Sequence, residues 1–404
     1  MKFISGGVCA AQGFLAGGIH CGIRKNKTKK DLALIISQTR AAAAGIYTAN
    51  LVKGAPIYVT KENIADGYAQ AIICNSGNAN TCNADGIGIA KGMCDLVAKH
   101  LPISAGDVIV ASTGVIGQPL SLAPMAEHMA ALAQSLSAHG ESAAAEAIMT
   151  TDTAKKEAAV SFELGGKACR LGGMAKGSGM IHPNMATMLV FLTTDAAISP
   201  QMLQKALIRD TQDTFHMVSV DGDTSTNDMV SILANGQAGN DPIDGEGEAF
   251  EAFCKALNAV TATLCKAIAK DGEGATKLLT CIASGAADKK TARTVAKSVI
   301  CSSLLKSAMF GADANWGRVL CAIGYSGAAV DVQKIDVAFS SAAGHVAVCK
   351  SGAGIPFNEE TAKEVLCRDE VNILVGLNDG SETATAWGCD LTFDYVKING
   401  DYRT

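Results

Sequence analysis

Several sequence patterns that mark common chemistries are missing from this chain. None of its 14 cysteines forms a C-x-x-C pair, which argues against zinc-finger and thioredoxin-type sites. The chain also lacks the G-x-x-x-x-G-K-[ST] loop of nucleotide-binding proteins, the G-x-S-x-G elbow of serine hydrolases and the H-E-x-x-H zinc motif. The sequence therefore predicts neither a metal site nor a nucleoside-triphosphate site.

A strong positive charge and long apolar runs are missing as well. The net charge is −5, and the densest basic run, residues 24–30, is interpreted as a solvated loop. Nucleic acid is therefore not expected as a partner. No apolar run reaches about 18 residues, and the first residues lack a secretory signal pattern. Together with the scattered thiols, these absences predict a cytoplasmic protein without a membrane segment.

Small residues are abundant instead. The chain has 404 residues, of which 42 are glycine, and hydrophobic residues make up 48% while aromatics make up only 5%. This composition is typical of a globular α/β core with small side chains and many tight turns. The length predicts two domains or lobes.

The apolar pattern predicts strands that alternate with helices. Short apolar runs at residues 32–36, 71–74 and 108–110 indicate buried strands. Ser199 and Pro200 form a helix start, with the serine as N-cap and the proline at the first helical position. Two further helices are predicted by apolar residues that recur every three or four positions: Met125, Met129, Leu132 and Leu136 in one, and Phe250, Phe253, Leu257, Val260, Leu264 and Ile268 in another, which spans about residues 247–270. The alternation predicts an α/β fold.

The most informative segment is residues 174–192, where a glycine-rich stretch runs directly into an apolar, strand-like run. The bond between Ala186 and Thr187 lies at this junction. A threonine hydroxyl there can attack the preceding carbonyl, and hydrolysis of the resulting ester frees the threonine α-amine. That amine has a pKa of about 8, so it can act as a base for its own hydroxyl. Taken alone, the pattern is also typical of an ordinary strand that begins with threonine.

The whole string resembles the ornithine acetyltransferase (glutamate N-acetyltransferase) family, whose hallmark is K-G-x-G-M-[IL]-x-P-x-x-A-T-M-L. The resemblance extends over essentially the full chain and includes the D-G-D-T-S-T-N-D and N-W-G-R strings. Its motifs follow one another in order at residues 6–8, 13–18, 30–35, 48–56, 75–80, 112–117, 149–153, 221–228, 270–277, 311–318 and 397–404.

The resemblance implies a role for each matching position. It implies self-cleavage between Ala186 and Thr187, with Thr187 as the nucleophile and with Thr113 and Gly114 as the oxyanion hole. Lys176 would pair with a substrate carboxylate and Glu273 with a substrate amine. The full set of implied substrate-binding residues is Thr150, Lys176, Thr187, Glu273, Asn399 and Thr404. No metal or organic cofactor is implied, and acetyl-CoA is kept as a second candidate acetyl donor.

The resemblance also implies a fold, an assembly and a reaction. The fold is the stacked-sheet αββα type of the N-terminal-nucleophile enzymes. An alpha chain, residues 1–186, and a beta chain, residues 187–404, would stay together and form a heterotetramer with two copies of each. The reaction is ping-pong transfer of acetyl from N-acetylornithine to glutamate in arginine biosynthesis.

Two other functions stay open at this point. An N-terminal-nucleophile aminopeptidase or amidase of the same fold would give the acyl group to water. A non-cleaving amino-acid-binding protein would keep the fold without turnover. A separate alternative concerns the base: His182 lies five residues before Thr187, but the freed α-amine would already serve as base, so we do not assign His182 a catalytic role.

Overall fold

The computed structural model describes residues 1–182 and 188–400. In this part the chain forms two compact units. The first unit contains residues 1–177, 188–211 and 224–264, and the second contains residues 178–182, 212–223 and 265–400.

Strands and helices alternate along the described chain, as the apolar pattern predicts. The strands are β1 (Lys2–Ile4), β2 (Phe14–Ile19), β3 (Leu32–Tyr47), β4 (Tyr68–Asn78), β5 (Val108–Val115), β6 (Lys156–Leu164), β7 (Lys167–Lys176), β8 (Leu189–Thr194), β9 (Val218–Ser219), β10 (Met229–Ala234), β11 (Leu278–Ala286), β12 (Asp336–Ser341), β13 (Gly344–Lys350), β14 (Ala353–Gly354), β15 (Glu370–Gly376) and β16 (Glu382–Cys389). The α-helices are α1 (Ala55–Asn63), α2 (Gly86–His100), α3 (Ala123–Gln134), α4 (Glu141–Ile148), α5 (Pro200–Thr211), α6 (Glu248–Lys270), α7 (Lys289–Cys301), α8 (Ser303–Phe310), α9 (Trp316–Gly324), α10 (Glu359–Leu366) and α11 (Phe393–Gly400).

The first unit contains a mixed nine-stranded sheet. Its strand order is β1-β6-β7-β8-β10-β3-β4-β5, and β2 pairs with β3. The pairs β8–β10 and β4–β5 are parallel, and the other neighbours are antiparallel. Parallel neighbours that follow each other in the chain need a crossover, which α2 supplies between β4 and β5.

Helices cover both faces of this sheet because successive strand side chains point to opposite sides. On β3, Ala33 and Ile35 join the core cluster that contains α4. Leu32 and Leu34 join the opposite cluster, which contains residues of α1, α2 and α3. The near-continuous apolar run of β3 is therefore the sequence signature of a strand buried on both faces.

The second unit has its own seven-stranded sheet, in the order β14-β13-β12-β15-β11-β16-β9. Helix α7 packs against β11 and β16, and α10 packs against β12 and β13. The presence of a sheet with packed helices in each unit confirms the predicted α/β fold class. The predicted alpha and beta chains, residues 1–186 and 187–404, are defined by a cleavage site. The two compact units do not test that site, so the chain boundaries stay a prediction.

The individual elements match the sequence predictions closely. The three predicted strands lie within β3, β4 and β5, and α5 begins at Pro200 as predicted. The predicted apolar face of α6 is buried at all six positions. One detail was wrong: α3 ends at Gln134, so Leu136 lies beyond the helix, where it packs against the same core from the following turn.

By length and composition alone, α6 could cross a membrane, since an 18-residue window has a mean hydropathy of 1.2. Half of that window is buried inside the protein. Phe253 on α6 has no solvent exposure and meets Phe162 of β6 edge-on, with ring centroids 6.3 Å apart. The helix is therefore a core element, and its apolar stripe is explained by packing.

Replacing Phe253 with alanine should lower the free energy of unfolding by about 3–5 kcal/mol, because the change deletes a buried ring and leaves a cavity. Urea unfolding followed by circular dichroism measures the difference. Ile208→Ala on α5, where the side chain is 50% exposed, is the control and should change stability by less than about 0.5 kcal/mol. Equal effects of the two substitutions would contradict the core role of α6.

Candidate active site

Thr113 and Gly114 lie at the C-terminal end of β5, beside the end of β4. The backbone at Gly114 has φ of 134°, and a Cβ there would stand 2.3 Å from the backbone carbon of Gly77. Only glycine fits this position, since both the torsion angle and the space exclude a side chain. Thr113 is 5% exposed. The local fold therefore places a threonine hydroxyl next to a glycine backbone at one strand end, and these are the two groups predicted for the oxyanion hole.

The end of β5 is tied to the segment before β10 by the Asn227 side chain. Its amide nitrogen donates to the carbonyls of Ala79 (2.6 Å) and Ser112 (3.0 Å). Its amide oxygen accepts hydrogen bonds from the hydroxyls of Thr81 and Thr226. Asn227 is buried, and these four contacts satisfy the side chain fully.

The next residue, Asp228, contacts the start of β8. Its Oδ1 accepts a hydrogen bond from the backbone N–H of Met188 at 3.0 Å. Asn227 thus holds the residue before Thr113, while Asp228 holds the residue that follows Thr187 in the sequence. Two adjacent side chains of one motif link the candidate oxyanion hole to the start of β8. Thr187 and Ala186 lie outside the described residues.

Thr150 and Lys176 are brought together by the carboxylate of Asp152. Asp152 Oδ1 lies 2.7 Å from the ammonium of Lys156, and Oδ2 lies 3.9 Å from the ammonium of Lys176. The backbone N–H groups of Thr150 and Gly177 donate to the same carboxylate at 2.9 and 2.7 Å. The site is closed to solvent, since Asp152, Lys156 and Lys176 are 5%, 2% and 3% exposed.

The Asp152 carboxyl of this cluster is ionised because of the lysines around it. Burial alone would raise the pKa of Asp152, but the ammonium groups of Lys176 and Lys156 outweigh burial and hold that pKa below its usual range. The carboxylate is therefore ionised, and two ammonium groups face one carboxylate. A buried lysine held in this way can donate to a substrate carboxylate.

Glu273 and Asn399 contact each other in the second unit. The Asn399 amide donates to Glu273 Oε2 at 2.8 Å, and the Glu273 backbone N–H donates to the carbonyl of Ser178 at 2.9 Å. A Cβ on Gly179 would stand 2.3 Å from the Glu273 carboxyl carbon, so the glycine leaves room for this side chain. Glu273 is 7% exposed, and it supplies a negative group that can accept from a substrate amine.

With this geometry in place, comparison with known proteins identifies the chain's family. The family model described as the ArgJ family matches residues 15–404. The chain belongs to the ArgJ family.

The ArgJ assignment is supported over the full length. The arginine biosynthesis bifunctional protein ArgJ of Caldanaerobacter subterraneus subsp. tengcongensis is 49% identical over 405 residues, with 100% of each chain covered. That of Symbiobacterium thermophilum is 50% identical over 406 residues, again with 100% of each covered. The crystal structure of ArgJ from Bacillus halodurans is 46% identical and covers 52% of this chain and 97% of its own, with a TM-score of 0.49. The family match and the two full-length relatives show that the protein is an acyltransferase of arginine biosynthesis.

The predicted site residues of this ArgJ protein are distributed over the two units. Thr113, Gly114, Thr150 and Lys176 lie in the first unit, while Glu273 and Asn399 lie in the second. The structure brings these residues together in two pairs: Thr150 with Lys176 through Asp152, and Glu273 with Asn399. The resemblance implies substrate binding for all four residues. Thr404, like Thr187, lies outside the described residues. The catalytic and binding roles of all these residues stay predictions.

Sequence reasoning missed the side chains that hold these residues in place. Asp152, Asn227 and Asp228 lie inside the quoted motifs, but no role was assigned to them. A usable signal was present: each is a polar residue in a segment next to a buried strand, where an uncompensated polar group is costly. Within the part of the chain that the structure describes, no cluster of three or more His, Cys, Asp or Glu side chains has the geometry to hold a metal ion.

His182 packs inside the second unit. Its Nδ1 lies 3.4 Å from the hydroxyl of Ser219 and 3.8 Å from the thiol of Cys301. Burial, followed by the charge of Lys297, lowers the pKa of His182 below its usual value. These contacts favour a neutral, packed imidazole.

Replacing Asp152 with asparagine removes the carboxylate that balances two buried ammonium groups. We expect a loss of about 3–5 kcal/mol in the free energy of unfolding at pH 7. Because the folded-state pKa of Asp152 is lowered from 3.8, its contribution is present above about pH 4 and is lost as the pH falls through the folded value. Urea titrations of both proteins between pH 7 and pH 2 should therefore show the stability difference shrinking below pH 4. A difference that stays constant over this range would contradict the charge assignment.

Proposed function

We propose that the protein transfers an acetyl group from N-acetylornithine to glutamate, with Thr187 as the nucleophile after self-cleavage of the Ala186–Thr187 bond. The observation that carries the proposal is the link built by Asn227 and Asp228, which joins the strand end bearing Thr113 to the residue that follows Thr187. Full-length identity of about one half to proteins named for arginine biosynthesis supports the choice of substrates.

Self-cleavage is an acyl shift followed by hydrolysis. The Thr187 hydroxyl attacks the Ala186 carbonyl, an ester C–O bond forms, the peptide C–N bond breaks and the freed nitrogen takes up the proton. Water then hydrolyses the ester, which leaves a carboxylate on Ala186 and a free α-amine on Thr187. In this proposal Thr113 and Gly114 stabilise the oxyanion of each tetrahedral intermediate.

Acetyl transfer uses the same groups twice. The Thr187 α-amine takes the hydroxyl proton, the oxygen attacks the acetyl carbonyl of N-acetylornithine, and ornithine leaves with the proton. Glutamate then attacks the acetyl ester through its neutral amine, which regenerates the hydroxyl and releases N-acetylglutamate. The amine and the oxyanion hole supply this chemistry, so the proposal needs neither a metal nor an organic cofactor.

The charged side chains favour amino-acid substrates. In the proposal Lys176, with Thr150 beside it, binds a substrate carboxylate, and Glu273 binds a substrate amine together with Asn399 and Thr404. The buried Lys176 ammonium beside Asp152 supports the first assignment, and the buried Glu273 carboxyl supports the second. Both proposed substrates carry a carboxylate, so Lys176 can contact the acetyl donor and the acceptor in turn.

The proposal extends to a second acetyl donor and to the assembly. Acetyl-CoA is proposed as an alternative donor, supported by relatives that are named bifunctional. The cut chains, residues 1–186 and 187–404, are proposed to stay together as a cytoplasmic heterotetramer with two copies of each.

An aminopeptidase or amidase is the main alternative, and it differs in the acceptor. Product analysis with N-acetylornithine discriminates the two, because a transferase forms N-acetylglutamate when glutamate is present and releases little acetate without it. Acetate release at the same rate with and without glutamate would favour the hydrolase. A binding protein would give neither product.

Replacing Thr187 with alanine should abolish both cleavage and transfer, because it removes the hydroxyl that both steps require. Denaturing mass spectrometry of fresh protein should give two chains of 186 and 218 residues (404 − 186 = 218) for the unmodified protein and one 404-residue chain for the variant. Thr187→Ser is the control and should still cleave. Acetyl transfer by a clean Thr187→Ala preparation would rule out the mechanism.

Replacing Thr113 with alanine should lower kcat by about a hundred- to a thousandfold, because one oxyanion donor is lost. KM for N-acetylornithine should change little, since the contact strengthens only as charge develops. Steady-state kinetics on cleaved protein measures both constants, with Thr113→Ser as the control that keeps the hydroxyl. A change confined to KM would assign Thr113 to substrate binding instead.

A further inference from the structure

The basic run at residues 24–30 forms the loop between β2 and β3, and the site described above does not use it. Five of its seven residues are lysine or arginine. Lys30 pairs with Glu146 of α4 at 2.8 Å, while Lys25, Lys27 and Lys29 are exposed. Among the residues that the structure describes, no carboxylate lies within ion-pair distance of these three lysines. The loop therefore presents positive charge to the solvent.

The backbone of this loop is fixed at its base and at its tip. At the base, the buried Asp31 carboxylate accepts hydrogen bonds of 2.6–3.2 Å from three backbone N–H groups, those of Cys21, Gly22 and Arg24. At the tip, Asn26 Oδ1 accepts from the Thr28 N–H at 3.0 Å and from the Thr28 hydroxyl at 2.7 Å. The lysines are thus carried by an ordered turn, so little backbone entropy is lost when a ligand binds.

The loop lies at the end of β4, next to the strand end that carries the candidate oxyanion hole. A Cβ on Gly77 would stand 2.8 Å from Arg24 Cγ, and a Cβ on Gly114 would stand 2.3 Å from the Gly77 carbonyl carbon. Gly77 and Gly114 are also register partners in the parallel pair β4–β5. The Arg24 guanidinium donates to the carbonyl of Met149, the residue before Thr150. The basic loop therefore begins beside the predicted oxyanion hole, within the first compact unit.

This position is a common one for ligands in α/β proteins. Ligands of open α/β sheets bind outside the carboxyl ends of the strands, and the parallel neighbours β4 and β5 both end here. The exposed lysines follow Arg24 within five residues, so they lie at most about 18 Å from it along the chain. A ligand that reacts at the oxyanion hole and carries anionic groups at that distance can therefore contact both places.

We propose that Lys25, Lys27 and Lys29 bind the phosphate groups of acetyl-CoA when this molecule is the acetyl donor. The inference rests on the proposed function, in which acetyl-CoA is the second donor. Acetyl-CoA carries its acetyl group at one end of a long uncharged arm and its phosphates at the other end. Its charges must therefore bind away from the oxyanion hole, and lysine is a common phosphate ligand. N-acetylornithine has no phosphate, so the loop serves only one of the two donors.

The test is steady-state kinetics of glutamate acetylation by the full, cleaved protein, with each donor measured separately. Replacing the three exposed lysines together, as Lys25→Gln/Lys27→Gln/Lys29→Gln, should raise KM for acetyl-CoA about three- to a hundredfold, because three exposed charge pairs of modest strength are lost. KM for N-acetylornithine should stay unchanged. The substitutions lie on the surface, so the variant should fold like the unmodified protein.

The matched control removes the same charge elsewhere. Lys99→Gln/Lys255→Gln/Lys363→Gln changes three exposed lysines outside the loop and should leave KM for both donors unchanged.

A second measurement changes the ligand instead of the protein. An acetyl-CoA analogue without the terminal phosphate should have a higher KM than acetyl-CoA with the unmodified protein, and this difference should shrink in the loop variant. Raising the ionic strength from about 0.05 M to about 0.3 M should raise KM for acetyl-CoA more in the unmodified protein than in the loop variant, because salt screens exposed charges.

Three results would overturn the proposal. An unchanged KM for acetyl-CoA in the loop variant would show that the loop is only a solvated face. An equal rise of KM for both donors would show that the loop acts on the part of the site that both donors share. A rise of the same size in the control variant would assign the effect to the net charge of the protein.

The reaction with N-acetylornithine separates this inference from the proposed function. If the unmodified protein transfers acetyl from N-acetylornithine to glutamate but does not use acetyl-CoA, the phosphate site is ruled out while the main reaction stands. If it uses neither donor, the proposed function fails together with the inference.

Discussion

The buried amide of Asn227 is the interaction on which the arrangement of the first unit's site depends. It joins two segments that are far apart in sequence, the end of β5 and the approach to β10, and it does so with both donors and its acceptor oxygen in use. Its neighbour Gly54 has room for no side chain, since a Cβ would lie 2.5 Å from the Asn227 amide nitrogen. The Asn227 side chain therefore has little room to be replaced, and it connects Ser112, the residue before Thr113, to the segment before β10.

The buried charged side chains of the site are also held by a small number of contacts. A single carboxylate, Asp152, lies against two buried lysines of the first unit, Lys156 and Lys176. Glu273 in the second unit is oriented by one amide and by its own backbone. Each charge is therefore held by the fold before any substrate arrives, so little reorganisation is needed on binding.

The sequence predicted the elements of the fold well and the supports of the site poorly. Strand β3 and helix α6 were readable because their apolar periodicity reports burial directly. The order of the strands was not readable, since it depends on pairings between distant segments such as β10 with β3. Thr113 and Lys176 were found through motifs, whereas Asp152 and Asn227 were not, because their importance lies in hydrogen bonds to backbone groups more than 20 residues away.

A cut after residue 186 would divide the nine-stranded sheet between two chains. Strands β8 and β10 would then belong to one product, yet they lie in the sheet between β7 and β3, which belong to the other. The two products would be interleaved, so they could not separate without breaking the sheet along two of its seams. Unfolding of the cut protein would release two chains, and its refolding would become bimolecular and dependent on concentration. The cut would make unfolding effectively irreversible. The mature protein would persist because its two chains separate slowly, rather than because they refold readily.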